Sequence, residues 1–201
     1  MSLNHIIQSS VPDDEALDVK FNNVEVLGTI TGGNFPKTIF KMLDQRIITG
    51  VDGQQSLFVD NLSIGSRTIP ANTLKAGSII DIEIRGTAKN ELPGSIAFDL
   101  KLNVGGYIII EMPLVEFLPV VGDRAFVCRV KLLVRSDVLI SAYIDWDIPN
   151  ISPNISISSK TVNLLNPLNF SIDNNVNVTC SISAGNATTN VTSNFGTITI
   201  Q

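Results

Sequence analysis

The sequence predicts an all-β domain, a sandwich or jelly roll of short antiparallel strands. Three observations predict it. A two-residue apolar period recurs along the chain, turn signals rich in Gly, Pro and Asn separate the periodic runs, and helical patterning is weak. Successive side chains of a strand point to opposite faces, so alternation is what a half-buried sheet requires. Eight or more such runs without helical crossovers argue against an α/β fold.

Residues 1–35 read as an N-terminal arm. Asp13, Asp14 and Glu15 follow Pro12, an exposed composition. Leu17 to Phe21 and Val24 to Val26 alternate, and Thr31-Gly32-Gly33-Asn34 breaks the chain before Pro36. The arm carries too little apolar content to offset the entropy of folding alone. It is expected to pair with its own domain or with a neighbouring subunit.

Residues 36–201 form the sandwich domain. Lys37 to Ile48 is read as strand, although Ile39, Phe40, Leu43 and Ile47 also approach helical spacing. Pro70-Ala71-Asn72 and Ala76-Gly77 bracket a loop before Ile80, Ile82 and Ile84, which share one strand face with Asp81, Glu83 and Arg85 opposite. Phe98, Leu100, Leu102 and Val104 make the next inward set, and Gly105-Gly106 is a two-residue hairpin turn. Phe126, Cys128, Val130, Leu132 and Val134 follow, then Ile140, Ala142 and Ile144, then Val176, Val178, Cys180 and Ile182, and the chain closes on Ile198 and Ile200. Gly122-Asp123, Pro149-Asn150 and Gly185-Asn186 are read as turns. Residues 150–175 fit two short edge strands or a long surface loop equally well.

Composition narrows the function classes. The 201 residues carry a net charge of -5, which disfavours nucleic acid as a partner. Charged residues make up only 16% and apolar residues 44% of the chain. So few charges cover a surface poorly, and burial against sister subunits is the expected remedy. A monomer coated with Asn, Ser and Thr is the alternative. Met1 to Ser10 has no basic region followed by an apolar core, so no secretory signal is expected. The longest apolar run, Tyr107 to Val121, is broken by Glu111, Pro113, Glu116 and Pro119, so no membrane insertion is expected.

No catalytic, cofactor or metal residues are expected. The one histidine, His5, lies in the arm, which excludes a His-based triad or a His-rich metal site in the folded part. Cys128 and Cys180 have no CxxC spacing and fall in apolar runs, as buried thiols would. Asp81 with Glu83, and Asp145 with Asp147, could serve as acid/base pairs. They read more simply as the polar side of half-buried strands. Lys101, Arg129, Lys131 and Arg135 offer positive charge that an anionic glycan could use, or that a solvated or inter-subunit face would carry. Asn-x-Ser/Thr sequons begin at Asn61, Asn150, Asn154, Asn169, Asn177, Asn186 and Asn190. Without a signal peptide they are expected to stay unmodified.

Gly65-Ser66-Arg67-Thr68-Ile69-Pro70-Ala71-Asn72-Thr73-Leu74-Lys75-Ala76-Gly77 resembles a turn of tail, fibre and head-decoration domains from phages and large DNA viruses. Val178 to Ala187 resembles their closing hairpin, and Met1 to Asn4 with Leu17 to Asn22 is similar to small structural proteins of large DNA viruses of protists. The resemblance implies a homotrimeric jelly roll like the tumour-necrosis-factor and complement-type heads. In those trimers one sheet of each protomer packs around the three-fold axis, and loops at the far end meet the target. It also implies a virion protein made in the host cytoplasm, with no catalytic residues. Its partners would be its own copies, a host-surface protein or glycan, and other virion proteins through the arm. The loops expected to bind carry Glu91, Leu92 and Gly94, then Gly122 and Asp123, then Asp147 and Asn150. Trp146 joins them as a sugar-stacking candidate if it sits on a strand edge, or fills volume if it lies in the core, and its flanking aspartates point to a semi-exposed position. A jelly-roll glycan lyase or hydrolase, and a minor capsid protein without a ligand, are the competing expectations.

Overall fold

A computed structural model describes residues 36–49, 53–111, 115–148, 151–152, 158–164, 167–184 and 188–201. The arm at 1–35, the Pro149-Asn150 turn and the Gly185-Asn186 turn lie outside the described residues. In chain order the strands are β1 (Lys37–Lys41), β2 (Arg46–Ile48), β3 (Gln55–Ser56), β4 (Ile64–Gly65) and β5 (Thr68–Ile69). The long β6 (Ile79–Asn90) and β7 (Ile96–Val104) come next, then β8 (Tyr107–Glu111), β9 (Val115–Phe117) and β10 (Val120–Val134). The chain finishes with β11 (Leu139–Asp147), β12 (Ile151–Ser152), β13 (Ser158–Asn163), β14 (Asn174–Ile182) and β15 (Thr189–Ile200). No helix occurs among the described residues.

These strands form two antiparallel sheets packed as a sandwich. The wide sheet runs β13-β11-β10-β6-β15-β1-β4, with β2 also on β15. The narrow sheet runs β12-β9-β7-β14-β3, with β8 on β7 and β5 on β14. The alternation fixes what lies between them. Ile80, Ile82 and Ile84 of β6 and Cys128, Val130 and Leu132 of β10 face Phe98, Leu100 and Leu102 of β7 and Val176, Val178 and Cys180 of β14, all within one buried cluster. Each fully buried Ile or Leu contributes about 2 kcal/mol relative to exposure. A one-residue slip of any long strand would turn this whole set to solvent, which is why the register is so tightly specified.

Among the described residues, turn chemistry lands where the sequence places it, with one exception. Gly105 and Gly106 have φ of 58° and 86°, joining Val104 to its partner Tyr107. Two successive positive φ values match the strand twist, and glycine takes them without a Cβ penalty. Asn72 (φ 61°) and Gly77 (φ 92°) turn the segment before β6, where Asn72 N donates to Phe170 O at 2.6 Å. Lys37 to Ile48 supplies strands β1 and β2, and the 150–175 region supplies edge strands β12 and β13. The exception is Gly122-Asp123, which is not a turn. Val120 pairs with Asn90 and Arg124 with Ala88, so three residues of β10 oppose Lys89 alone. Gly122 (φ 75°) sits in that bulge. The chain instead changes sheets one step earlier, at Leu118-Pro119, between β9 and β10.

The outward faces of the long strands are polar. Thr197 and Thr199 on β15, and Asn177, Thr179 and Ser181 on β14, alternate with buried neighbours. Asn, Ser and Thr therefore cover much of what the scarce charges leave. Large exposed apolar side chains among the described residues are Leu43, Leu62, Leu118, Val138 and Ile172 in loops, Ile47 on β2, Ile64 on β4, Ile108 on β8, Val121 in the bulge and Tyr143 on the outward face of β11.

Candidate functional site

Two surfaces gather side chains with chemical potential. The first is the end of the sandwich where β6 turns into β7. Asn90 is fully buried there. Its Nδ2 donates to Gly94 O at 3.0 Å and to Phe117 O at 2.9 Å, while Leu92 N donates to its Oδ1 at 3.2 Å. One amide thus ties the 91–95 turn to the β9–β10 corner. Glu91 N donates to Thr188 O at 3.2 Å, which brings the start of β15 to the same place. Lys89 Nζ lies 3.9 Å from Asp123.

Glu91, Leu92, Gly94, Gly122 and Asp123 are therefore brought together. Between the turn and the corner lies a depression of about 460 Å³ lined by Glu91, Leu92, Pro119 and Val121. Asp147 closes β11 on the outward face, opposite Val127, toward the same end of the wide sheet. Asn150 lies outside the described residues. Trp146 is a correction. It is 5% exposed and belongs to the core cluster, so it offers no ring face to a sugar. The reason is parity: Ile140, Ala142, Ile144 and Trp146 all face inward, and the flanking Asp145 and Asp147 point the other way. Its indole N–H has no oxygen or nitrogen acceptor. Across the ladder stands Cys128, whose thiol is pushed far up by burial, the Trp146 indole opposing that shift. Burial likewise raises the Cys180 thiol. Both cysteines are free, each on its own sheet.

The second surface is the outward face of the wide sheet, where the register stacks side chains into rows. One row runs Tyr143, Lys131, Asp81, Thr199, Thr38, from β11 to β1. The next runs Asp145, Arg129, Glu83, Thr197, from β11 to β15. Arg129 reaches Asp145 at 3.1 Å and Glu83 at 3.5 Å, and Lys131 reaches Asp81 at 3.5 Å. Arg85 also binds Glu83, and Gln201 Nε2 donates to Asp81 Oδ2 at 2.8 Å. Hydrogen bonding to Asp145 is the largest influence holding the Arg129 guanidinium in its charged form. Three of the four strand carboxylates weighed as acid/base groups are thus held by cations. The rows border an open depression of about 570 Å³ floored by β6, β10 and β15. Tyr143, 48% exposed, stands at its side. Sequence reasoning named the charges but passed over Tyr143. The signal was present: an aromatic between Ser141 and Asp145 on the outward parity of a strand.

Among the described residues no three His, Cys, Asp or Glu side chains cluster as metal ligands. No helix is long and apolar enough to cross a membrane, again among the described residues.

No protein-family model and no curated protein matches the chain. Among solved structures, the CBM2 module of the evolved Dit of Lactobacillus casei BL23 phage J-1 aligns with a TM-score of 0.37 and 8% identity, covering 82% of this chain and 95% of that one. A structure of infectious bursal disease virus, Gt strain, aligns with a TM-score of 0.32 and 10% identity, covering 92% of this chain and 37% of that one. Likeness this slight assigns no role to any residue.

Proposed function

We propose that this chain is a non-enzymatic structural domain of a virion, a jelly-roll head that forms homotrimers and attaches the particle to a host surface. Strand order is the observation that carries the reading. Take the eight strands β1, β3, β6, β7, β9, β10, β14 and β15 as first to eighth. The wide sheet then reads first, eighth, third, sixth, and the narrow sheet reads second, seventh, fourth, fifth. Interleaving of this kind is what two nested Greek keys produce, and capsid and lectin domains are among those built on that plan.

Fold alone does not choose a function. Two further features favour a binding and assembly role over catalysis. Asp81, Glu83 and Asp145 are neutralised by cross-strand cations, so they make poor candidates for a proton-shuttling pair. The 91–95 turn and the β9–β10 corner are braced together by buried Asn90, which suits a rigid contact surface. Three copies on one axis would convert weak single contacts into strong adhesion.

Light scattering tests the assembly. The purified full chain should scatter as three subunits at micromolar concentration, and a monomer there would sink the proposal. Antibody against the domain should label intact particles, and labelling only after disruption would remove the attachment role.

A further inference from the structure

We propose that the outward face of the wide sheet is a binding site for a neutral oligosaccharide, with Tyr143 as the stacking platform. This rests on the attachment reading but moves the ligand from the loops to a sheet face.

Shape comes first. The depression of about 570 Å³ lies on the pleated surface of β6, β10 and β15, bordered by Tyr143 of β11. Its floor is the most extensively paired part of the molecule, since β6 is bonded to β10 and β15 along most of its length. A site on such strands keeps its geometry without a ligand, which lowers the entropy lost on binding.

Charge then selects the ligand. Asp81 and Glu83 contribute two negative charges, and Arg129 and Lys131 contribute two positive ones. The lining is neutral in sum, so a polyanion gains nothing by entering, and neither does a polycation. The cations are nevertheless half in solvent: the Arg129 and Lys131 side chains are 50% and 55% exposed. Arg129 is hydrogen-bonded to Asp145 at 3.1 Å, but its pair with Glu83 and that of Lys131 with Asp81 are long, at 3.5 Å each. Donors and acceptors with unused capacity therefore stand side by side along each row. A pair of neighbouring sugar hydroxyls matches that pattern, one donating to the carboxylate and one accepting from the cation. Thr197 and Thr199 extend the row of hydroxyls along β15.

Tyr143 supplies the apolar part. Tyr143 leaves about half of its surface to solvent on the polar side of its strand, and an aromatic ring so placed can stack on the C–H face of a pyranose. Aromatic face plus paired hydroxyl partners is the chemistry of a neutral glycan. An acidic glycan would meet Asp81 and Glu83.

Calorimetric titration of the full-length protein with cellohexaose, laminarihexaose, mannohexaose and galactohexaose tests this, with heparin hexasaccharide as the polyanion. At least one neutral hexasaccharide should bind more tightly than heparin. Tyr143→Ala should weaken it about tenfold, Tyr143→Trp should retain it, and Lys131→Met should weaken it. Ile172→Ala, at an exposed position in the loop before β14, should leave it unchanged. The site is overturned if no neutral hexasaccharide binds, if heparin binds best, or if Tyr143→Ala leaves the affinity unchanged. It is also overturned if Tyr143→Ala changes the subunit number, since the face would then be a contact between copies. Light scattering on the same samples separates the two proposals. A trimer that binds none of the sugars removes this site alone, and a monomer that binds through Tyr143 removes the trimer alone.

Discussion

The two outward faces of the sandwich solve the same problem in opposite ways. Each must present polar groups to water while the other side of every strand stays in the core. On the narrow sheet the polar groups consume one another. Asp99 accepts hydrogen bonds from Gln54 Nε2, from Ser181 N at 3.2 Å and from Ser181 Oγ at 2.9 Å. Thr179 Oγ1 donates to Gln54 Oε1 at 2.6 Å, and Ser56 Oγ and Arg67 both donate to Asn177 Oδ1. The Arg67 side chain is only 14% exposed. On the wide sheet the Arg129 and Lys131 side chains remain half in solvent, and their pairs with Glu83 and Asp81 are long, at 3.5 Å. A face whose donors and acceptors are already matched has nothing left for a ligand. A face of half-used ion pairs does, and it gives up little stability when a ligand competes for them.

The largest expected effect lies on the narrow face. Asp99→Ala removes three hydrogen bonds to one carboxylate, including one from a backbone N–H of β14. It should cost about 2 kcal/mol in urea unfolding. A loss below that of Arg129→Met would reverse the contrast between the faces. Next comes Asn177→Ala, which leaves Ser56 Oγ and one Arg67 nitrogen without their shared acceptor. About 1 kcal/mol is expected by the same measurement.

Much of this was legible in advance because parity is a strong signal. The inward sets of β6, β7, β10, β11 and β14 follow directly from alternate apolar residues, and the Gly105-Gly106 turn follows from its two-residue length. Trp146 was legible too, since it continues the series Ile140, Ala142, Ile144. Local composition, an aspartate on either side, points the other way, but alternation makes polar neighbours the normal company of a buried strand residue. Gly122 was not legible. A glycine before an aspartate signals positive φ, yet both a turn and a bulge demand that, and only the pairing of Val120 and Arg124 against β6 distinguishes them. The cross-strand rows were likewise beyond reach, because a period of two assigns faces and leaves neighbours open. That Arg129 stands between Glu83 and Asp145 depends on β6, β10 and β11 lying side by side.

A smaller effect concerns pH. The Asp60 carboxyl is held below its ordinary value chiefly by its hydrogen bonds from Arg67. A carboxyl depressed in the folded state stabilises fully above the ordinary aspartate range. That contribution fades as pH falls through the lowered value. Because the Asp60 side chain is 63% exposed, the gain is at most about 1 kcal/mol. Asp60→Asn should therefore lower stability slightly at neutral pH and flatten its acid dependence. An unchanged acid limb in thermal unfolding would show that the pair contributes nothing.

The smallest effect falls on the wide face, and it is the one that separates the faces most sharply. Arg129→Met breaks contacts to both Glu83 and Asp145, yet exposed pairs of this kind contribute little, so the loss should be smaller than for Asp60→Asn. Methionine keeps an aliphatic stem of similar reach, so packing changes little. What does change is the response to salt. Ion pairs half in solvent are screened over a Debye length of about 3 Å at 1 M salt, whereas the hydrogen bonds that Asn177 accepts from Ser56 and the largely buried Arg67 are screened much less. The difference between wild type and Arg129→Met should therefore vanish at high salt, while that between wild type and Asn177→Ala persists. If both differences vanish together, the narrow face is held by charge after all. If neither does, the Arg129 contacts are tighter than their exposure allows, and the wide face has no spare capacity to offer a ligand.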